Sequence, residues 1–132
     1  MRNILKYQLP PLLWILLTFA LEYFPDLFSS IKIPPGTDKI VHAGVYFVLC
    51  WLVQRAFYQQ EILPPLRKSS FLGAFVFCCV YGILDEFHQH FLPGRTSRTY
   101  DVLAAVGGAL LYIAIASMIS QAKSGGGSEP ES

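Results

Sequence analysis

Two short runs hold most of the residues in this chain that could do chemistry. In DKIVHAGVY, residues 38–46, Asp38, His42 and Tyr46 fall at i, i+4 and i+8, a line along one helix face. In YGILDEFHQHFLPGRTSRTYD, residues 81–101, Tyr81, Asp85 and Gln89 repeat that spacing, with Gly82 and Glu86 on the adjacent row. A carboxylate held out of water beside an imidazole or a phenol can act as a general acid or base. Arg95 and Arg98 follow within one short turn, and Asp101 comes three residues later. A guanidinium fork pairs bidentately with a carboxylate or a phosphate. Asp38, Asp85, Glu86 and Asp101 set against Lys39, Arg95 and Arg98 sum to −1 with histidine neutral.

Three chemistries fit these residues. One is proton transfer by Asp85 or Glu86, tuned by His42. A second is purely structural: the two arginines neutralise the carboxylates and fix the loop. The third is a metal site, since histidine and carboxylates suit zinc or a harder divalent ion. His88 and His90 flank Gln89 and so point to different sides of a helix. Without a two-histidine pair on one face, the expectation is no metal and no other cofactor. His88 and His90 read as interfacial side chains rather than ligands.

The surroundings of these runs make them costly to keep. The chain has 132 residues, is 53% hydrophobic and only 14% charged, where soluble domains average about 25% charged. Four apolar segments approach the roughly 20 residues that a helix needs to cross a bilayer. They are 9–24, 40–58, 69–84 and 102–119. The sequence therefore predicts an all-α membrane bundle of four transmembrane helices over residues 1–122. Arg2 and Lys6 ahead of the first segment also fit a signal peptide, but no small-x-small cleavage site follows. Lys123 onward, KSGGGSEPES, has a flexible-linker composition and is expected to be disordered. Cys50, Cys78 and Cys79 lie within apolar runs and read as small buried residues.

Prolines mark the joints. Pro10-Pro11 open the first helix, Pro34-Pro35-Gly36 and Pro64-Pro65 interrupt the next two connections, and Pro93-Gly94 the last. Arg2, Lys6, Arg55, Arg67, Lys68 and Lys123 fall at one end of such a bundle. Lys32, Lys39, Arg95 and Arg98 fall at the other. That bias predicts both termini in the cytoplasm, which turns the polar runs outward. Carboxylates below a membrane surface must face the bundle interior, a watery notch or cations. Ala104-x-x-x-Gly108 fits close helix contact in lipid and would draw the polar ends together. The near-neutral charge and the lack of zinc-finger, RNA-binding or helix-turn-helix signatures argue against a nucleic-acid partner.

The ordered set DK-x-x-H-x-x-x-Y at Asp38, Lys39, His42 and Tyr46, then DE-x-x-Q-x-x-x-PGR at Asp85, Glu86, Gln89, Pro93, Gly94 and Arg95, then Asp101 and Gly108, resembles the VanZ-like family of small integral membrane proteins. The resemblance spans residues 38 to about 115. Family members often carry an asparagine four residues after the last aspartate, where this chain has Ala105. The family takes its name from a protein associated with teicoplanin resistance. The resemblance implies a multi-pass protein of the inner (plasma) membrane with an outward polar site, surrounded by membrane lipids. The resemblance names no substrate; the residue types and their expected place, with Arg95 and Arg98 for an anionic head group and Asp85 or Glu86 for a proton, suggest a lipid-linked or cell-wall precursor as partner.

The combined expectation is a catalytic set of His42, Asp85, Glu86, Gln89, Arg95 and Asp101, with Asp38, Lys39, Tyr46 and Arg98 binding around it. A non-catalytic binding or structural role is the alternative. A small transporter is the third reading, although no internal inverted repeat is visible.

Overall fold

The computed structural model describes residues 4–24, 32, 34–93 and 99–126, and every regular element among them is helical. A π-helical turn, Ile4–Gln8, leads directly into α1, Leu9–Glu22. Pro10 and Pro11 lack the amide hydrogens that would close on the Lys6 and Tyr7 carbonyls, so the chain can widen there. After α1, Pro34 and Pro35 lead to Gly36, whose φ of 90° is left-handed, and α2 begins at once as Thr37–Gln59. A short helix α3, Pro64–Lys68, turns the chain into α4, Ser70–Gln89. The last helix, α5, runs Thr99–Gly125. It includes Lys123 to Gly125 of the segment expected to be disordered; Gly126 follows as a turn, and residues 127–132 lie outside the described residues.

Cross-helix contacts fix the directions. Gln54 at the far end of α2 meets Ser70 at the start of α4, and Tyr46 near the start of α2 meets Asp85 near the end of α4. These helices are therefore antiparallel. Gly108 of α5 abuts Ala43 of α2, and Tyr112 reaches Gln54, so α5 runs parallel to α2. Gln8 donates to the Ala56 carbonyl at 2.9 Å, whereas Glu22 meets Gln89, so α1 is antiparallel to α2. One end of the bundle thus holds the end of α1, the start of α2, the end of α4 and the start of α5. The other holds the π turn, α3 and the end of α5.

The buried stripe on each long helix has helical spacing and is built largely from small residues. In α4 it is Ser70, Ala74, Cys78, Gly82 and Gln89; in α5 it is Asp101, Ala105, Gly108, Ala109 and Tyr112. Against them α2 sets Tyr46, Leu49, Cys50, Val53 and Ala56. Small side chains let helix backbones approach when lipid supplies no hydrophobic driving force between them. The outward faces are the reverse: Leu12, Leu16, Leu72, Val76, Ile83, Leu103, Leu110 and Met118 are exposed turn after turn. A belt that apolar has no partner in water, and it identifies a membrane protein.

Three helices, α2, α4 and α5, are long and apolar enough to cross a bilayer. The first of the four expected spans differs. As α1 it has 14 residues, about 21 Å at 1.5 Å per residue against a core about 30 Å thick. Proline at its start and the turn at Tyr23 bound it. Because α4 ends at Gln89, Asp85 and Glu86 sit about one turn, ~6 Å, from its end.

Candidate functional site

The polar residues of α1, α2 and α4 meet at a single end of the bundle around a cavity of about 630 Å³. Gly36 delivers the start of α2 to its rim, which places Asp38 and Lys39 at the mouth and His42 and Tyr46 one and two turns deeper. Lys39 Nζ lies 3.4 Å from Asp38 Oδ2, an exposed pair at the mouth. Asp85 enters from α4, with Tyr81 one turn below it. Thr18, Leu21 and Glu22 close the α1 side, and Val41 and Val45 add apolar wall on α2. The cavity is thus greasy on its flanks and charged at its opening and on one wall.

Two carboxylates there are held by neutral donors. The Tyr46 hydroxyl, on a side chain only 2% exposed, donates to Asp85 Oδ2 at 3.0 Å. Gly82 makes room for this: a Cβ on it would stand 3.4 Å from both the Tyr46 ring and the Ala105 Cβ. The His42 ring lies nearly parallel to the Tyr46 ring, with centroids 6.5 Å apart. Glu22 accepts a hydrogen bond from Gln89 Nε2. Its other oxygen is 3.5 Å from His88 Nδ1. His88 is stacked on Phe19 at 4.6 Å and has its Nε2 3.3 Å from the Tyr23 hydroxyl. His88 is therefore part of the α1–α4 seam, while His90 is exposed beyond the end of α4.

The sequence-derived set divides in two. Asp38, Lys39, His42, Tyr46 and Asp85 share the cavity wall. Gln89 is buried behind it against Glu22. Glu86 and Asp101 do not line the cavity, and each keeps one buried carboxylate oxygen without a hydrogen-bond partner among the described residues. Asp101 is 8% exposed at the start of α5. Arg95 and Arg98, expected to neutralise these carboxylates, lie outside the described residues. Among the described residues no group of His, Cys, Asp or Glu is arranged to hold a metal ion.

The cavity also uses residues that the sequence alone did not assign to it: Glu22, Thr18 and, as a wall residue, Tyr81. Glu22 had a legible signal, a charge close to an apolar segment. Nothing in the spacing pointed to its partner Gln89, which is 67 residues away.

Compared with known families, the chain matches VanZ/LLP1 over residues 2–120, nearly its whole length and all of its helical elements except the final turns of α5. The chain belongs to the VanZ/LLP1 family. No curated protein and no solved structure matches it. In this VanZ/LLP1 protein the two polar runs sit on helices, α2 and α4, that are long and apolar enough to cross a bilayer, and the packing of those helices brings the runs together. Ala105, where VanZ-like proteins often carry asparagine, is 2% exposed and packed beside Gly82. An asparagine amide there would stand next to the Tyr46–Asp85 pair.

Proposed function

We propose that the cavity at this end of the bundle faces outward and receives an amphiphilic cell-envelope molecule, a lipid-linked or cell-wall precursor. In this reading Asp85 is the group that exchanges a proton with the bound molecule. The observation that carries it is the composition of one cavity: Asp85 with its Tyr46 hydrogen bond, His42, Glu22 and the Asp38–Lys39 pair, beside an apolar wall that includes Leu21, Val41 and Val45. A pocket with apolar flanks and a few convergent polar groups is the usual form of a small-molecule site. The apolar flanks suit a hydrocarbon chain and Lys39 an anionic group. Membership of a family named for a protein associated with teicoplanin resistance supports a ligand from the envelope. In the same reading α1, with the π turn before it, completes a fourth span, and both termini are cytoplasmic.

Asp85→Asn separates chemistry from architecture. Asparagine keeps an oxygen to accept the Tyr46 hydrogen bond, so the fold survives, but it cannot take up a proton. The expected outcome is loss of the wild-type phenotype, with the same envelope precursor accumulating in the Asp85→Asn strain as in a deletion strain. Full wild-type precursor profiles in Asp85→Asn cells would end the catalytic reading.

The second reading, a non-catalytic binding or structural protein, is favoured by a different observation. Glu22 is engaged with Gln89 and His88, and this ties α1 to α4. Under it, substitutions that preserve hydrogen bonding are silent, and those that change shape at the α2–α5 contact are not.

A further inference from the structure

The opposite end of the bundle carries a second cavity, of about 490 Å³, lined by Tyr58, Pro64, Arg67, Lys68, Ser70 and Phe71. Neither Arg67 nor Lys68 forms an ion pair among the described residues. The one acidic residue of the connection, Glu61, does not line it. The Arg67 guanidinium is poised over the Tyr58 ring, 5.5 Å from its centroid, which restrains a side chain that would otherwise sweep freely. Ser70 is 3% exposed, and its hydroxyl accepts a hydrogen bond from Gln54 Nε2 at 3.2 Å. That leaves the hydroxyl proton available to a ligand. Aromatic and apolar side chains form the rest of the wall.

We propose that this cavity binds the phosphate-bearing headgroup of an anionic membrane lipid. Arg67 and Lys68 take the phosphate oxygens, Ser70 donates a hydrogen bond, and Tyr58 and Phe71 pack against the glycerol and upper acyl carbons. The chemistry follows from the lining: a guanidinium fork restrained over an aromatic ring and an ammonium beside it suit phosphate. Their position where apolar helices end suits a lipid, since basic residues beside a span attract anionic headgroups. The inference does not depend on the role of the cavity at the other end.

The test uses the full chain in nanodiscs of phosphatidylcholine containing a fifth phosphatidylglycerol. Lipid retained after detergent extraction is counted by native mass spectrometry. The wild type is expected to retain phosphatidylglycerol over phosphatidylcholine, and Arg67→Gln/Lys68→Gln to lose that preference by at least five-fold with unchanged helix content. Lys6→Gln, at the same end but outside the cavity, is expected to keep it. Three results would each overturn the proposal. One is equal retention by the double variant; another is an equal loss in Lys6→Gln, which would mark diffuse surface charge. The third is displacement of phosphatidylglycerol by millimolar inorganic phosphate, which would mark a soluble phosphate site.

Discussion

Glu22 does two things at once. It lines the cavity that holds Asp85 and it accepts from Gln89, a side chain only 2% exposed. Removing the acceptor leaves a buried amide unsatisfied, and a hydrogen bond to a charged group contributes about 1.5–3 kcal/mol. Glu22→Ala is therefore expected to lower thermal stability in detergent by about 2 kcal/mol. Glu22→Gln, which keeps an acceptor oxygen, should lose less than half of that. An equal loss in both would assign the effect to charge rather than to the hydrogen bond. The contrast with Asp85 explains what could be read in advance. Asp38, His42 and Tyr46 lie on one helix, so their spacing alone aligns them, and Asp85 and Gln89 are aligned in the same way. Which aligned residues share a wall is a property of packing between helices. That is why Asp85 joins His42 in the cavity while Gln89 turns to Glu22, and why Glu86 and Asp101 lie away from it.

The decisive contact among the elements is between α2 and α5. A Cβ built on Gly108 would overlap the Ala43 carbonyl, a main-chain group that cannot swing aside, whereas one on Gly107 would meet nothing within 4 Å. Overpacking costs about 1–3 kcal/mol when side chains can adjust. With backbone on both sides, Gly108→Ala belongs at the upper end, ~3 kcal/mol. Gly107→Ala is expected to leave the melting temperature in detergent unchanged or slightly raised, since alanine favours helix over glycine. Comparable losses in both variants would mean that α5 packs through a different face. The run of small residues in α5 was visible in the sequence, but the face was not. Of the Ala104-x-x-x-Gly108 pair only Gly108 sits fully in the seam, because the stripe runs through Asp101, Ala105, Gly108, Ala109 and Tyr112. With small residues at consecutive positions, composition cannot say which of them meets the neighbouring helix. The limits of α1 were similarly hidden, since Pro10 and Pro11 leave a π turn before it and only 14 residues of α-helix after it.

Across the whole molecule, charge is sorted by end. Glu22, Asp38, Asp85, Glu86 and Asp101 gather at the end that holds the larger cavity, with Lys32 and Lys39 as the bases described there, while Lys6, Arg55, Arg67, Lys68 and Lys123 lie toward the other, with Glu61 as the one acid described there. Arg55 and Lys6 both stand over the Tyr7 ring, at 5.0 and 5.2 Å, so this basic end is also where α1 begins. Cytoplasmic loops are enriched in lysine and arginine, so the basic end is expected inside and the larger cavity outside. Single cysteines in a background with Cys50, Cys78 and Cys79 replaced can test this in spheroplasts with a membrane-impermeant maleimide. Lys32→Cys, between α1 and α2, is expected to label from outside, and Lys123→Cys only after lysis. These two report on α2, α4 and α5, the three helices long and apolar enough to cross a bilayer, whose three crossings would put the two positions on opposite sides. Lys6→Cys reports on α1 alone. It labels only after lysis if the 14-residue helix and its π turn together cross the bilayer, which local thinning of the membrane would permit at a modest energetic cost. Labelling of Lys6→Cys from outside would instead lay α1 along the outer surface, and the Gln8–Ala56 hydrogen bond, which ties the start of α1 to the basic end of α2, would have to be absent in the membrane.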